Sequence, residues 1–295
     1  MVRAMRLHLI DGTYELFRAH FAPSPAQRAP GGWDCKATVG VVRSLLALLH
    51  DAAEAPTHLA VAFDNPIRSF RNDLFAAYKS DEGVPPELRA QFDAVERGVR
   101  ALGVAVWSMR EHEADDGLAS GAHRFRDEVA QVRVMTPDKD LGQCLLGERV
   151  VQVDRQRKRL ITEASFRAER GFAPGSMPDF LALTGDSADG IPGLPGFGEK
   201  TAGLLLGAYG RLEHIPPDPG AWAVKPRGAP RLAETLAARR GDALLYRRLA
   251  TLVDDAPVAG SLDELRFAGV PRAAFEAWCD EVGAPALKKA PRPWR

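Results

Sequence analysis

Short apolar runs alternate with amphipathic segments through the first 165 residues, and this alternation limits the possible folds more than any other feature of the chain. Four runs have the length of strands, at residues 7–10, 59–63, 104–107 and 132–135. Residues 39–50 and 86–102 carry apolar side chains at helical spacing, which predicts helices. Strands that alternate with helices predict an α/β fold with a mainly parallel central sheet flanked by helices.

The pattern changes towards the C-terminus. Residues 150–160 predict two strands around a basic turn that contains Arg155, Arg157, Lys158 and Arg159. From Pro178 onward helical patterns dominate, with interruptions by Gly and Pro at residues 190–198 and 216–230. We therefore expect an α/β core at 1–175, a helical subdomain at 176–262, and a C-terminal helical extension with a basic tail at 263–295.

Composition excludes several classes of protein. A chain of 295 residues that is 45% hydrophobic can bury a large core. No apolar run approaches the roughly 20 residues of a membrane-spanning helix, so no membrane contact is expected. Cys35, Cys144 and Cys279 lack the paired spacing of a disulfide framework or a zinc site, and no signal peptide precedes the first strand. These features predict a cytoplasmic protein, for which Met5 is a second candidate start.

Acidic residues stand where the predicted strands end. The first strand ends at Asp11 and the second at Asp64, while short loops lead from the other two strands to further acids. Those acids are Glu113, Asp115, Asp116, Asp138 and Asp140. Because the carboxyl ends of parallel strands meet at one edge of a sheet, these seven carboxylates are expected in one crevice.

A crevice of this kind requires cations. Carboxylates packed together without cations repel one another, and several would have to stay protonated. The expected donors are all oxygens, which favours hard ions such as Mg²⁺ or Mn²⁺ over zinc. Two such ions can activate water and hold a scissile phosphate, so phosphodiester hydrolysis is the expected reaction. Any one aspartate is better explained as a turn residue or helix cap; their occurrence at four strand ends is what favours metal binding.

A glycine- and proline-rich segment at residues 184–203 separates two helical patterns. Its glycines allow the backbone to approach a phosphate, and the N–H groups that begin the next helix favour an anion. A helix-hairpin-helix of this kind contacts the nucleic-acid backbone without reading the base sequence. The residues expected to contact DNA are Gly193, Gly196, Gly198, Lys200 and Thr201. An ordinary interhelical loop is the alternative, which the nearby pair Asp186 and Asp189 makes less favourable.

The net charge of zero, from 39 basic and 39 acidic residues, at first argues against a polyanionic partner. Asp186 and Asp189 can reach the same crevice, so nine of the acids are assigned to metal binding, and the remainder of the chain then has 39 basic residues against 30 acidic ones. Bound cations would neutralise the nine acids and leave a basic surface that suits nucleic acid.

These motifs together resemble the 5′ nuclease family, which comprises flap endonucleases and the N-terminal nuclease domain of bacterial DNA polymerase I. The matching segments, in order, are 9–12, 62–64, 70–79, 113–116, 138–140 and 185–200, and the similarity extends to about residue 257. The resemblance is to the free-standing form, and it implies a PIN-like core, a helical arch at about 78–100 and a helix-hairpin-helix subdomain. It assigns the first metal to Asp11, Asp64, Glu113, Asp115 and Asp116, and the second to Asp138, Asp140, Asp186 and Asp189.

The resemblance also implies residues that act on the DNA strand. Arg18, Arg71 and Lys79 match basic residues that steer the scissile phosphate, and Tyr78 matches a residue that stacks on the terminal base. Without the family, the arginines are equally well explained as surface charges and Tyr78 as a core residue. The hairpin is also a candidate site for a monovalent cation such as K⁺.

Three departures from the family pattern are expected to weaken function. The pair Asp81-Glu82 stands where the family carries a basic residue, which weakens phosphate capture. Pro137 replaces a glycine and Gly190 replaces an asparagine, and both change backbone freedom beside the second metal.

The leading hypothesis is a structure-selective 5′-3′ exonuclease and flap endonuclease that uses two divalent cations in primer removal or DNA repair. Its expected partners are DNA with 5′ ends, flaps or junctions, as well as RNA primers, and it is expected to act as a monomer. Two alternatives remain open, namely a branched-DNA binding protein with weak or no hydrolysis and a metal-dependent nuclease directed at RNA.

Overall fold

The protein is described by a computed structural model over residues 5–291 and 293–295. Its strands are β1 (Arg6–Asp11), β2 (His58–Asp64), β3 (Ala105–Met109), β4 (Gln131–Met135), β5 (Val150–Asp154) and β6 (Arg159–Ile161). The predicted strands are therefore confirmed. Residues 1–4, on which the choice between Met1 and Met5 as the start depends, lie outside the described residues.

The α-helices follow one another along the chain with several short 3₁₀ turns between them. They are α1 (Gly12–Phe21), α2 (Lys36–His50), α3 (Arg71–Leu74), α4 (Pro86–Arg89), α5 (Phe92–Ala101), α6 (Ala114–Phe125), α7 (Glu163–Arg170), α8 (Met177–Thr184), α9 (Glu199–Tyr209), α10 (Ala229–Ala238), α11 (Arg240–Ala250) and α12 (Arg272–Glu281). Among the described residues, no helix is both long enough and apolar enough to span a bilayer.

The first of two compact units contains the parallel sheet and comprises Met1–Ser69, Asp81–Thr136 and Asp254–Arg295. Its strands run in the order β3-β2-β1-β4, and every neighbouring pair is parallel, as predicted. Asp11 lies opposite Ala62, and Asp64 lies opposite Met109. At Gly12 a Cβ atom would lie 2.5 Å from the Phe63 ring, so the absence of a side chain lets α1 begin directly beside β2.

Helices cover this sheet. Helix α6 packs on β1, β2 and β3, while α2 packs on both α1 and α5. The single helix expected at 86–102 is two helices, α4 and α5, separated at the buried Gln91, whose Oε1 accepts hydrogen bonds from Thr38 N (3.0 Å) and Oγ1 (3.1 Å). Because α5 buries Phe92, Val95 and Val99, it is a core helix, and the arch expected at about 78–100 extends too far.

The second unit comprises Phe70–Ser80 and Pro137–Val253. It contains the antiparallel pair of β5 and β6, which surrounds the basic turn, and a group of helices in which α8 packs on α9 and α11. Phe180, Leu205, Trp222 and Leu249 belong to its buried hydrophobic core. The core therefore supports the segment between α8 and α9, where the glycine-rich hairpin lies.

Candidate metal centre and glycine hairpin

In the first unit, acids at the sheet edge are hydrogen-bonded to the elements that follow them. Asp11 ends β1, and its Oδ1 accepts a hydrogen bond from Tyr14 N (2.8 Å), which caps α1. Its Oδ2 accepts a hydrogen bond from Thr136 Oγ1 (3.0 Å). Asp64 ends β2, and its Oδ1 accepts a hydrogen bond from Ala114 N (2.7 Å) in the first turn of α6. Strand pairing therefore brings Asp11 and Asp64 to one edge, beside the start of α6.

The acids around the start of α6 form a capping box. Glu113 N donates to Asp116 Oδ2 (3.0 Å), the Glu113 side chain accepts a hydrogen bond from the third residue of the helix, and Ser69 Oγ donates to Glu113 Oε1 (2.7 Å). Glu113 and Asp116 are buried, and Asp115 is half-buried. The helix cap offered as the alternative explanation thus exists, although it does not prevent these oxygens from binding a cation.

In the second unit, three carboxylates converge. One oxygen each from Asp140, Asp186 and Asp189 lies within 4.8 Å of the other two. We call these three residues the aspartate cluster. Asp138 is not one of these three residues; its Oδ1 accepts a hydrogen bond from Asp140 N (2.9 Å) and caps the 3₁₀ helix Lys139–Cys144. Over the described residues, the five acids at the sheet edge do not form a comparable group of three.

Lysines contact every member of the aspartate cluster. Lys139 Nζ contacts Asp186 Oδ2 and lies 3.2 Å from Asp140 Oδ1. Lys79 Nζ lies 3.2 Å from Asp189 Oδ1, and Lys79 N donates to Asp189 O (3.0 Å). The role of Lys139 was missed from the sequence, although its position between Asp138 and Asp140 was a signal that could have revealed it.

Burial and crowding alter the ionisation of this cluster. Burial, followed by the nearby Asp138 carboxylate, raises the pKa of Asp140 to about 7, while Lys139 acts in the opposite direction. Burial would lower the pKa of Lys139, but the carboxylates of Asp140 and Asp186 outweigh burial and raise that pKa. The crowded carboxylates of the cluster are therefore stabilised by nearby positive charge.

The donor chemistry fits a hard divalent cation. The cluster offers three carboxylate oxygens, and magnesium and manganese prefer oxygen donors. The Asp186 side chain is fixed by its own loop, because its Oδ1 accepts a hydrogen bond from Ala188 N (2.9 Å). Asp140, Asp186 and Asp189 are thus the residues that would hold a cation in this unit.

Two residues expected to contact the DNA strand are buried instead. Arg71 is 1% exposed, and its guanidinium donates to Leu249 O (2.7 Å) and Thr251 O (3.0 Å). Tyr78 is 4% exposed and lies in the hydrophobic core of the second unit. Both side chains are buried inside the second unit, so the structure does not support steering of a phosphate by Arg71 or base stacking by Tyr78.

The remaining basic candidates are more accessible. Arg18 contacts Glu15 and lies 3.2 Å from Ser44 Oγ, with 29% of its side chain exposed. The Lys79 side chain is 26% exposed. Asp81, one of the two acids that depart from the family pattern, forms an exposed ion pair with Arg89 at 3.0 Å. This pair offsets the negative charge of Asp81.

The glycine hairpin connects α8 to α9, as predicted. Gly193 has φ +70°, and a Cβ atom there would lie 2.4 Å from Gly185 N. Gly196 also has a positive φ, of +88°, whereas Gly198 caps α9 and has open space where its side chain would be. Lys200 is exposed and Thr201 is half-buried, both in the first turn of α9. The exposed backbone of the glycine hairpin therefore lies beside the positive charge of Lys200.

Gly190 links the hairpin to Lys79. Its φ is +72°, and a Cβ atom there would lie 2.2 Å from Ala77 O. The glycine at this position, noted as a departure from the family pattern, therefore permits the close approach that lets Lys79 N reach Asp189 O. The other departure, Pro137, precedes an Asp138 that retains its capping hydrogen bond.

Comparison with known families gives two consecutive matches. Residues 6–171 match the family model described as "5'-3' exonuclease, N-terminal resolvase-like domain". Residues 172–273 match the one described as "5'-3' exonuclease, C-terminal SAM fold". A solved complex of a bacteriophage T5 flap endonuclease with DNA and metal ions has a TM-score of 0.63 and 18% identity, and covers 96% of this chain and 97% of that one. At this identity the likeness shows a shared fold.

Curated relatives extend the match at higher identity. DNA polymerase I of Bacillus caldotenax is 35% identical over 284 residues, which cover 94% of this chain and 31% of the relative. The chain thus spans about a third of the length of that polymerase. The 5'-3' exonuclease of Aquifex aeolicus is 31% identical over 261 residues, which cover 88% of this chain and 86% of the relative. The chain belongs to the 5′-3′ exonuclease family of nucleases.

Proposed function

We propose that this protein is a structure-selective 5′-3′ exonuclease and flap endonuclease that hydrolyses DNA phosphodiester bonds with two divalent cations. The observation that carries the proposal is the convergence of Asp140, Asp186 and Asp189 in the same unit as the glycine hairpin. Asp186 and Asp189 themselves begin the hairpin segment. Cation binding and contact with the DNA backbone therefore depend on one short stretch of chain.

The proposed metal sites use both sets of acids. Asp11, Asp64, Glu113, Asp115 and Asp116 would hold the first cation, and the aspartate cluster with Asp138 would hold the second. Magnesium or manganese at these positions would supply a polarised water and stabilise charge on the leaving oxygen. Lys79 and Arg18 would orient the phosphate, since their ammonium and guanidinium groups are partly exposed.

The glycine hairpin is proposed to bind duplex DNA through its backbone. Gly196, Gly198, Lys200 and Thr201 offer N–H groups, a hydroxyl group and a positive charge, and these recognise phosphate rather than base edges. Gly193 closes the turn, and K⁺ is the proposed occupant if the hairpin binds a monovalent cation. Solved structures of this fold include complexes with DNA, one of them with a Holliday junction. We propose 5′ ends, flaps and junctions as substrates, primer removal or repair as the role, and a monomeric cytoplasmic enzyme.

We also propose the domain division expected from the sequence, with the nuclease core at 1–175, the DNA-binding subdomain at 176–262 and the extension at 263–295. RNA primers are proposed as additional substrates. In support, contacts with a phosphate backbone do not by themselves exclude RNA.

The test is cleavage of a 5′-flap duplex with Mg²⁺ and with Mn²⁺, alongside nicked, blunt and single-stranded DNA. Asp186→Asn should lose metal-dependent cleavage, whereas Asp242→Asn, which alters an exposed ion pair with Arg239 in the same unit, should retain it. Tight flap binding without cleavage by the wild-type protein would favour the branched-DNA binding alternative. Preferential cleavage of single-stranded RNA would favour the RNA-directed alternative.

A further inference from the structure

Lys139 occupies a special place in the aspartate cluster, because a single ammonium group contacts two of the three carboxylates. It contacts Asp186 Oδ2 and lies 3.2 Å from Asp140 Oδ1. These are two of the three residues whose oxygens come within 4.8 Å of one another. Lys139 therefore contacts the carboxylates that a cation in the cluster would use.

The carboxylates are held in place by backbone hydrogen bonds. Asp186 Oδ1 accepts a hydrogen bond from Ala188 N (2.9 Å), and the backbone of Asp186 pairs with Ile191 through two hydrogen bonds of 2.8 Å. On the other side, Asp138 Oδ1 accepts a hydrogen bond from Asp140 N (2.9 Å), and Gln152 donates to Asp138 O. Both loops are thus fixed by contacts that do not involve Lys139.

The ammonium group of Lys139 can move away from the aspartate cluster into solvent. It is 40% exposed, whereas the side chains of Asp140 and Asp186 are 10% and 7% exposed. A flexible four-carbon stem can move its ammonium group into solvent without disturbing the backbone of the 3₁₀ helix. Of the three charged groups, the lysine is therefore the one that can leave.

A divalent cation and this ammonium group exclude one another at close range. A magnesium-sized ion requires oxygen atoms at about 2.1 Å. An ammonium group that stayed in contact with the same carboxylates would lie within a few ångströms of a doubly charged ion, in a partly buried site that water screens poorly.

We infer that Lys139 is an intramolecular competitor for the cation: its ammonium group bridges Asp140 and Asp186, and a divalent ion binds there only by displacing it. This inference rests on the proposed function, which assigns these aspartates to a metal. Displacement favours ions of high charge, so Lys139 also selects against monovalent cations in the cluster. Lys139 is a positioning and selectivity residue, since it acts through Asp140 and Asp186.

The experiment measures binding of Mn²⁺ to the full-length protein without DNA, by the electron paramagnetic resonance signal of the unbound ion. Lys139→Met should bind the cluster ion with a Kd lower by about tenfold or more, because removal of one nearby positive charge relieves both competition and repulsion. Lys139→Arg keeps the charge and should remain within about threefold of wild type. Lys225→Met removes an exposed charge from the same unit and is the matched control.

A second readout uses competition by KCl. Raising KCl at constant Mn²⁺ should weaken Mn²⁺ binding more in Lys139→Met than in wild type, because the monovalent ion no longer has to displace an ammonium group. Thermal unfolding monitored by circular dichroism verifies that each variant is folded, and Lys139→Gln replaces Lys139→Met if the latter is not.

Asp186→Asn identifies which bound ion belongs to the cluster. If wild type binds one more ion than Asp186→Asn, and Lys139→Met binds that ion with an unchanged or higher Kd, the inference about Lys139 is wrong while the proposed metal site stands. If wild type and Asp186→Asn bind the same number of ions with the same Kd values, the proposed cluster site is itself wrong, and the inference about Lys139 is overturned with it.

Discussion

The two sets of acids are held in different ways. At the sheet edge of the first unit, Asp11, Asp64 and Glu113 accept hydrogen bonds from backbone N–H or hydroxyl groups. In the aspartate cluster of the second unit, each carboxylate contacts a lysine. The hydrogen bonds of Asp11, Asp64 and Glu113 tie these acids to the elements around them, and at the aspartate cluster lysines add positive charge. Substitutions in the first set should therefore cost more stability than substitutions in the second, whereas both sets should lose cleavage as proposed metal ligands.

The largest expected effect is on cleavage in the aspartate cluster. Asp186→Asn removes a proposed metal ligand, and loss of a direct ligand should exceed the roughly 10- to 100-fold cost typical of outer hydrogen-bond partners. The amide oxygen can still accept the hydrogen bond from Ala188 N, so the free energy of unfolding in EDTA should change by less than about 1 kcal/mol.

Single-turnover cleavage of a 5′ flap and urea unfolding in EDTA measure these two quantities. A large loss of stability in EDTA would contradict the contrast, because it would show that Asp186 stabilises the fold as the sheet-edge acids do.

The next largest effect concerns the glycine that supports the cluster. Gly190→Ala places a Cβ atom 2.2 Å from Ala77 O at a residue with φ +72°. Left-handed strain and this close contact should together cost about 1–3 kcal/mol of unfolding free energy. Since the contact between Lys79 N and Asp189 O depends on the same approach, Mn²⁺ affinity should fall as well.

Urea unfolding and Mn²⁺ titration verify this expectation. Gly175→Ala is the matched control, since a Cβ atom there would meet open space in the same unit. Equal stability of the two variants would contradict the proposed role of Gly190.

A smaller effect is expected when a sheet-edge acid loses its capping oxygen. Asp11→Ala removes the acceptor for Tyr14 N and should cost about 1 kcal/mol of unfolding free energy. Asp11→Asn retains an acceptor oxygen and should cost only a few tenths of a kcal/mol. Both variants should lose cleavage, because both remove a proposed ligand.

Thermal unfolding in EDTA separates the two variants. If Asp11→Ala were as stable as Asp11→Asn, the sheet-edge acids would not stabilise the fold by capping, and the contrast between the two sets would fail.

Sequence patterns predicted the local features and missed those set by distant contacts. Strand ends at Asp11 and Asp64 follow from short apolar runs, whose alternation with helices is local information. The burial of Arg71 follows instead from acceptors at Leu249 and Thr251, which are 178 and 180 residues away along the chain. No local pattern contains that information.

The same distinction explains two further differences. Helix α5 has an amphipathic sequence that fits an exposed arch as well as a core helix, and its packing on α2, α12 and β3 decides between them. The role of Lys139 was missed for another reason. A lysine between two aspartates is chemically prominent, but its contact with Asp186 depends on a loop 47 residues away.

The smallest expected effect is on the pH dependence of stability in the first unit, and it arises away from the acids. His8 is fully buried on β1, 3.0 Å from Glu54 Oε2, which also forms an ion pair with Arg133, with Nε at 2.9 Å. Burial lowers the pKa of His8 below its ordinary value of 6.5, despite the opposing effect of Glu54. The unfolded chain therefore takes up a proton on His8 before the folded chain does, so folding stability should be greatest above pH 6.5 and decrease as the pH falls below it.

His8→Gln should flatten this decrease without abolishing it, since burial also lowers the pKa of His58 in the same unit. Urea unfolding between pH 7.5 and 5.5 in EDTA measures this effect as the difference in slope between wild type and His8→Gln, because both proteins contain the same aspartate cluster. An unchanged slope in His8→Gln would show that His8 does not cause the decrease.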